Sequence, residues 1–160
     1  MIRGRARLLT DNISGDHIIS GHNLGAGRSS EELAKCLFQS CRPDLAATLQ
    51  PGDIIVAGEN FGCGSSREQI LQVMLAAGIR CVVAKSFSRN FYRGGINVGI
   101  LPIEQTIEIA ELDILEIDLN AGLIRLETGK SYPFSPFPQQ LQGFIQEGGL
   151  LNYYKAHGTL

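Results

Sequence analysis

The chain has 160 residues, of which 44% are hydrophobic and 19% are charged, so it is long enough to bury a core and too apolar to be disordered. Fourteen Lys and Arg residues against sixteen Asp and Glu residues give a formal net charge of −2. Without a net positive charge the chain has no general attraction for nucleic acid or an acidic membrane, and we expect neither as a partner.

No apolar run in the sequence has the length of a signal peptide or a membrane span, so we expect a cytoplasmic protein. A reducing compartment keeps thiols free, and the four cysteines include no Cys-x-x-Cys pair. The three histidines are not spaced to complete a zinc or iron–sulfur site with them. We therefore predict free thiols and no metal centre held by this chain alone.

The first predicted strand covers Arg3 to Leu9, where apolar and basic residues mix. Asp11 to Gly27 is rich in Gly, Asn, Asp and Ser, which predicts a long loop, and loops of more than about 12 residues in compact domains are usually functional. Ser29 or Ser30, followed by two glutamates, predicts the start of a helix, because acidic residues in the first turn favour the helix dipole.

A β-loop-α-β unit is predicted in the centre of the chain. The β-branched run from Asp53 to Ala57 predicts a buried strand, and residues 58–64, Gly-Glu-Asn-Phe-Gly-Cys-Gly, form what we call the glycine loop. Ser65 and Glu68 fit a capping box that opens a helix. Arg80 to Ala84 then predicts the next strand.

The second half of the chain predicts further strands and terminal helices. Phe87 to Gly95 predicts a short irregular helix, and Ile100 to Ile103 a short strand. Alternating residues from Leu112 to Asp118, followed by a turn and Leu123 to Leu126, predict a β-hairpin. Helices are expected towards the C-terminus. The predicted fold class is α/β with a mixed sheet and flanking helices.

The glycine loop is the segment most suited to chemistry. A loop that leaves a strand and opens a helix gathers backbone N–H groups and the positive end of the helix dipole, which favours an anion. Arg67 adds a forked cation there, and the hydroxyls of Ser65 and Ser66 add a candidate nucleophile or base. From these residues alone, a helix cap, a tight turn and a surface arginine explain the segment equally well. The segment fits neither phosphate-binding pattern of nucleotide-binding loops.

Four motifs follow one another along the chain. They are Asp11-Asn-Ile-Ser-Gly-Asp-His-Ile-Ile19, Gly58-Glu-Asn-Phe-Gly-Cys-Gly-Ser-Ser-Arg-Glu-Gln69, Ser86-Phe-Ser-Arg-Asn-Phe91 with Asn97-Val-Gly-Ile-Leu-Pro102, and residues 129–134 with 148–151. In this order they resemble the swivel domains of the aconitase superfamily, and most closely the small subunits of the 3-isopropylmalate dehydratase family. The motifs cover nearly the whole chain, and together they are far more specific than any one of them.

The resemblance implies a swivelling β/β/α domain that spans residues 1–160 as a single unit and closes over a separate large subunit. In that family the large subunit holds a 4Fe-4S cluster through its own cysteines. The implied reaction is the dehydration of a hydroxy acid and rehydration at the neighbouring carbon. The iron binds the hydroxyl and a carboxylate, while a serine base removes the carbon-bound proton.

The resemblance also implies roles for individual residues. Ser65 matches the serine base, and Arg67 matches the residue that grips a substrate carboxylate with two parallel hydrogen bonds. Ser66 is expected to contribute a hydroxyl or backbone contact. The backbone around Gly62 and Gly64, with the amides of the helix N-terminus, is expected to form an anion site that stabilises the developing charge.

Asp16 matches an aspartate of the early motif, which we expect to orient the arginine or a histidine of the partner from outside direct contact with substrate. The alternative for Asp16 is an aspartate that caps a turn. His17 is expected to be a packed or exposed histidine. Gly15 and Gln69 depart from the family pattern, which has a threonine and often a histidine there.

The segment from residue 20 to 30 is where family members differ in substrate. Isopropylmalate dehydratases commonly carry an Arg-Tyr-Leu run there, whereas this chain has His22-Asn-Leu-Gly-Ala-Gly-Arg28. Arg28 resembles an additional carboxylate-binding arginine of aconitase, which makes a third substrate carboxylate credible. The alternative is an arginine that precedes the helix and faces water.

These observations predict the small subunit of a hydro-lyase that acts on isopropylmalate in leucine biosynthesis, with a hydroxy di- or tricarboxylate as substrate. The nearest alternatives are a homoaconitase small subunit of lysine biosynthesis and related malate-derivative dehydratases. An alternative of another class is a binding module that keeps the swivel fold without chemistry. The intact Ser65-Ser66-Arg67 run argues against that module.

Overall fold

The structure is a computed structural model that describes residues 1–24, 27–64 and 67–160. Within these ranges the strands are β1 (Ile2–Leu8), β2 (Ile54–Ala57), β3 (Cys81–Ala84), β4 (Leu101–Glu104), β5 (Ile114–Asp118), β6 (Leu123–Leu126) and β7 (Ser131–Pro133). The helices are α1 (Gly15–Ile18), α2 (Gly21–Leu24), α3 (Ser30–Ala34), α4 (Leu45–Thr48), α5 (Glu68–Ala76), α6 (Arg89–Val98), α7 (Gln139–Gln146) and α8 (Leu150–His157).

The described strands form one mixed sheet in the order β4-β3-β2-β1-β5-β6-β7. The half from β4 to β1 is parallel, with Ala6 opposite Ile54 and Ile55 opposite Val82. The half from β1 to β7 is antiparallel and contains the predicted hairpin of β5 and β6. The predicted α/β class with a mixed sheet is confirmed.

The parallel half of the sheet is buried on both faces. All four residues of β2 and all four of β3 are buried. Because successive side chains alternate between faces, Ile55 and Ala57 pack in one cluster with α5, whereas Ile54 and Val56 pack in another with α7. This two-sided burial explains why the β-branched runs are continuous rather than alternating.

The structure differs from the predictions in several local elements. The segment predicted as a loop from 11 to 27 contains α1 and α2, each of four residues, which is too short to show a helical period. Helix α6 is regular: Ser88 caps its start, and it ends at Gly99 in the left-handed region. Strand β7 was not predicted, and its Pro133 fits an edge strand.

The predicted capping box of Ser65 and Glu68 is wrong. Helix α5 begins at Glu68, and the N-cap is Arg67, with an extended backbone and no side-chain cap hydrogen bond. A capping box needs the glutamate as the third helical residue, whereas here it is the first. The free amides of the first helical turn therefore follow Arg67 directly.

A group of charged residues that we call the ion-pair cluster joins β1 to the start of β2. Its members are Arg5, Arg7, Arg42, Asp53 and Glu111. Arg7 and Asp53 are each only 2% exposed. Arg7 Nη1 lies 3.1 Å from Asp53 Oδ2, and Arg7 Nε lies 2.6 Å from Glu111 Oε1. Each buried charge thus has a partner of opposite sign.

Candidate functional site

The first three of the four sequence motifs meet at the carboxyl ends of three neighbouring parallel strands. The early motif follows β1, the glycine loop follows β2, and the Ser86–Phe91 motif follows β3. In open α/β sheets ligands bind outside the carboxyl ends of the strands. The topology therefore gathers the described parts of these three motifs at one edge of the sheet.

The glycine loop runs beside the early motif and extends the pairing of β1 with β2. The Asn12 amide donates to the Glu59 carbonyl at 2.8 Å, and the Gly15 amide donates to the Cys63 carbonyl at 3.0 Å. Ser14 and Cys63 form an isolated parallel bridge. The early motif and the glycine loop are therefore held in a fixed register.

The Ser86–Phe91 motif supports the glycine loop from its other side. The Phe61 amide donates to the Ser86 carbonyl at 3.0 Å, and the Ser88 hydroxyl donates to the Gly62 carbonyl at 2.8 Å. The Phe61 ring packs edge-on against Phe91 with ring centres 4.9 Å apart. The loop thus lies between two segments that both bond to it.

Gly62 is a glycine because no side chain fits there. Its φ is +79°, and a Cβ on it would lie 2.4 Å from the Phe91 Cβ. Its amide donates to the Ile13 carbonyl at 2.7 Å, so that hydrogen is not available to an anion. In this respect the structure corrects the predicted anion site. Gly64, also at positive φ, is exposed and lies next to the predicted serines.

Arg67 lies where the early motif, the glycine loop and α5 meet. It is exposed, and it lines a small cavity together with Gly15, Gly62 and Phe91. Its backbone is the N-cap of α5, so the free amides of the first turn follow it directly. The predicted Ser65 and Ser66, which precede it, lie outside the described residues.

Asp16 is exposed in the first turn of α1 and lines a cavity of about 140 Å³. The cap of that helix is Ser14, whose hydroxyl accepts the His17 amide. The turn-capping alternative for Asp16 therefore does not apply to α1. The other lining residues of the cavity are His17, Ser20, Asn23, Cys36, Gln39 and Ser40.

Arg28 lies beside the same cavity. It is exposed just before Ser29, the N-cap of α3, and its Nη1 lies 4.0 Å from the sulfur of Cys36, which lines the Asp16 cavity. The alternative that Arg28 precedes the helix and is solvent-exposed describes its backbone and its exposure. Its guanidinium nevertheless contacts Cys36, which lines the same cavity as Asp16.

Comparison with known proteins places the chain among enzymes. Residues 42–108 match the model of the aconitase C-terminal domain. The chain is 48% identical to 3-isopropylmalate dehydratase small subunit 1 of Thermotoga maritima, over 99% of this chain and 98% of that protein. The chain belongs to the family of 3-isopropylmalate dehydratase small subunits. The resemblance of the four motifs to this family is thereby confirmed.

Two further relatives carry different names. The crystal structure of 3-isopropylmalate dehydratase from Methanocaldococcus jannaschii matches with a TM-score of 0.90 and 40% identity, over 98% of this chain and 95% of that chain. The methanogen homoaconitase small subunit of Methanothermobacter thermautotrophicus is 42% identical, over 96% of this chain and 91% of that protein. Proteins named for two substrates therefore share this dehydratase fold.

The described cysteines lie apart from one another in the fold. Cys81 is buried in β3, and burial raises the pKa of its thiol. Cys63 lies in the glycine loop, and Cys36 lines the Asp16 cavity. In the described ranges, no three His, Cys, Asp or Glu side chains lie close enough to hold a metal ion.

His17 is exposed, which is one of the two environments expected for it, and it also makes a contact that sequence reasoning did not predict. Its Nδ1 accepts the Ser14 amide hydrogen at 2.9 Å, which completes a capping box around α1. The signal was the spacing of a serine and a polar residue three positions later, but histidine is not the usual partner in that motif.

Among the described helices, none has the length and hydropathy needed to cross a bilayer.

Proposed function

We propose that this chain is the small subunit of 3-isopropylmalate dehydratase, which interconverts 2-isopropylmalate and 3-isopropylmalate by dehydration and rehydration in leucine biosynthesis. The observation that carries the proposal is the 48% identity to a small subunit of that name over 99% of the chain. The gathering of the motifs at one edge of the sheet supports it. We place the enzyme in the cytoplasm and treat residues 1–160 as a single swivel domain.

Arg67 binds a substrate carboxylate in this proposal. A guanidinium offers two parallel N–H donors that match the two oxygens of a carboxylate, which an ammonium group does not. The exposure of Arg67 at the start of α5 leaves these donors accessible to substrate. The amides of the first turn of α5 add partial positive charge at the same point.

Ser65 acts as the base that removes the carbon-bound proton, and Ser66 contacts the substrate through its hydroxyl or backbone. A serine alkoxide is stabilised by a helix N-terminus and a nearby guanidinium, and α5 and Arg67 supply both directly after it in sequence. We assign the remaining anion contact to the backbone at Gly64. Asp16 orients charged groups of the site from the adjoining cavity.

The large subunit is the partner that completes the site. We place in it a 4Fe-4S cluster, which supplies the Lewis acid for the hydroxyl group that leaves. This chain supplies the carboxylate grip and the base, so neither subunit is active by itself. The swivel domain must therefore dock with its glycine loop towards the large subunit.

Homoaconitase is the second candidate function. A relative 42% identical to this chain carries that name, and Arg28 lies beside the Asp16 cavity. Homocitrate-type substrates have a third carboxylate, for which a further arginine is a suited partner. In that case Arg28 joins Arg67 as a substrate-binding residue.

An anaerobic assay with two substrates in parallel distinguishes the candidates. The chain is combined with its large subunit, the cluster is reconstituted, and the absorbance of the unsaturated intermediate is followed with isopropylmalate and with homocitrate. We expect turnover of isopropylmalate, and Arg28→Ala to leave its kcat/KM within about twofold.

The other results of this assay are equally decisive. Turnover of homocitrate alone, with a loss of about tenfold or more in kcat/KM for Arg28→Ala, assigns the chain to homoaconitase. Arg125→Ala, which removes an exposed arginine on β6, is the matched control for Arg28. Turnover of neither substrate by enzyme with a demonstrably loaded cluster contradicts both candidates and favours a module without chemistry.

A further inference from the structure

The geometry points to His17 as a positioning residue that holds the glycine loop, the segment that leads in sequence to the proposed serine base. This inference rests on the proposed function, because it takes Ser65 as the base. His17 does not touch the reacting atoms in this view. It acts through Ser14, the residue at which the early motif meets the glycine loop.

The first step is the contact between His17 and Ser14. The Ser14 amide donates to His17 Nδ1 at 2.9 Å, and the Ser14 hydroxyl oxygen lies 3.0 Å from the same nitrogen. The His17 amide donates back to the Ser14 hydroxyl at 3.2 Å. Nδ1 therefore acts as the acceptor of a backbone hydrogen bond in this turn.

The second step runs from Ser14 to the glycine loop. Ser14 forms the parallel bridge with Cys63, and the next amide, that of Gly15, donates to the Cys63 carbonyl at 3.0 Å. On the other side of Ser14, the Ile13 carbonyl accepts the Gly62 amide at 2.7 Å. The capped turn thus lies between the two hydrogen bonds that fix residues 62 and 63 of the loop.

The third step is the short distance along the chain to the base. Cys63 is two residues before Ser65, with only Gly64 between them. A Cβ on Gly64 would lie 3.8 Å from the Ser14 Cβ, so Ser14 also adjoins the last glycine of the loop. A displacement of Ser14 therefore reaches Gly64, the residue that precedes Ser65 in the chain.

The test compares two substitutions of His17 in the assembled enzyme. His17→Ala removes the side-chain half of the capping box that His17 supplies, whereas His17→Gln keeps a side chain that can complete it. We expect His17→Ala to lower kcat by at least about threefold, because the glycine loop is positioned less precisely, with KM within about twofold. We expect His17→Gln to retain the wild-type kcat.

Rescue by His17→Gln separates this role from a purely structural one, because glutamine can restore the capping box without restoring an imidazole. A kcat for His17→Gln as low as that of His17→Ala overturns the inference.

Amide hydrogen exchange of the full chain gives a readout that does not depend on turnover. In His17→Ala the Gly15 and Gly62 amides are expected to exchange at least about fivefold faster than in wild type, and in His17→Gln at the wild-type rate. Unchanged exchange in His17→Ala overturns the inference. If the assembled wild-type enzyme turns over neither substrate while exchange behaves as expected, the proposed function fails and the positioning of the loop by His17 stands.

Discussion

The two ends of β2 carry polar residues in opposite environments. At its start, Asp53 is 2% exposed and accepts hydrogen bonds from Arg5, Arg7 and the Gln50 amide. At its end, the glycine loop leads to Arg67, which is exposed and has no ion pair with any carboxylate in the described part of the chain. The charges of the ion-pair cluster are satisfied internally, whereas the charge of Arg67 remains available to a ligand.

The pKa values of the cluster express this difference. Burial by itself would raise the pKa of Asp53, but hydrogen bonds from Arg5, the Gln50 amide and Arg7 outweigh it and lower that pKa. Burial likewise opposes ionisation of Glu111, yet hydrogen bonds from Arg42, the Leu8 amide and Arg7 lower its pKa to about 2. The cluster therefore stabilises the fold only while its carboxylates are ionised.

The largest effect should follow from breaking the buried end. Asp53→Ala leaves the guanidinium of Arg7 buried without one of its partners, and we expect a loss of about 3–5 kcal/mol in the free energy of unfolding, measured in urea. Glu116→Ala breaks the exposed pair with Arg3, and about 0.5 kcal/mol or less is expected. Equal losses for the two variants would show that burial does not distinguish these ion pairs.

The glycine loop can be tested in the same measurement. Gly62→Ala combines a positive φ with a Cβ 2.4 Å from Phe91, whereas Gly129→Ala has a positive φ and open space around it. We expect about 1 kcal/mol for Gly129→Ala from the backbone alone and about 1–3 kcal/mol more for Gly62→Ala. A Gly62→Ala variant as stable as Gly129→Ala would contradict the close packing against Phe91.

Arg67→Lys tests the exposed arginine that follows the glycine loop. Because lysine cannot form two parallel hydrogen bonds to a carboxylate, we expect kcat/KM of the assembled enzyme to fall about 10- to 100-fold. The free energy of unfolding should change by about 0.5 kcal/mol or less, since Arg67 is exposed. Arg125→Lys is the control, and activity equal to that control would remove Arg67 from the substrate site.

The response of stability to acid is gradual, and its size per pH unit is small. The pKa of Glu111 falls from 4.5 to about 2 on folding, so its contribution to stability is present above about pH 4.5 and is lost as the pH falls towards about 2. One proton contributes at most about 1.4 kcal/mol per pH unit. Unfolding in urea from pH 6 to pH 2.5 should show a shallower loss for Glu111→Gln than for wild type, and equal slopes would contradict it.

The sequence predicted the strands well because burial on both faces leaves continuous β-branched runs, as in β2 and β3. It failed for α1, because a four-residue helix has no period and depends on the Ser14 cap and the contacts with Cys63. The pairing of Arg7 with Asp53 spans 46 positions, and no local pattern reports such a contact.

In the candidate site too, some features could be predicted from the sequence and others could not. Family resemblance indicated Ser65, Arg67 and Asp16, because their motifs are specific at the level of sequence. The use of the Gly62 amide within the chain and the bond of His17 to Ser14 depend on how two distant segments align. Such register is a property of the folded sheet edge and could not be predicted from either motif alone.

The most direct test of the proposed role of the glycine loop is the incorporation of solvent deuterium into isopropylmalate by the assembled enzyme, followed by NMR. Ser65→Ala should retain KM within a few-fold while the rate of incorporation falls by about 10²- to 10⁴-fold, the contribution of a general base. Ser131→Ala, an exposed serine of β7, should match wild type. Incorporation by Ser65→Ala at the wild-type rate would contradict a base supplied by this chain.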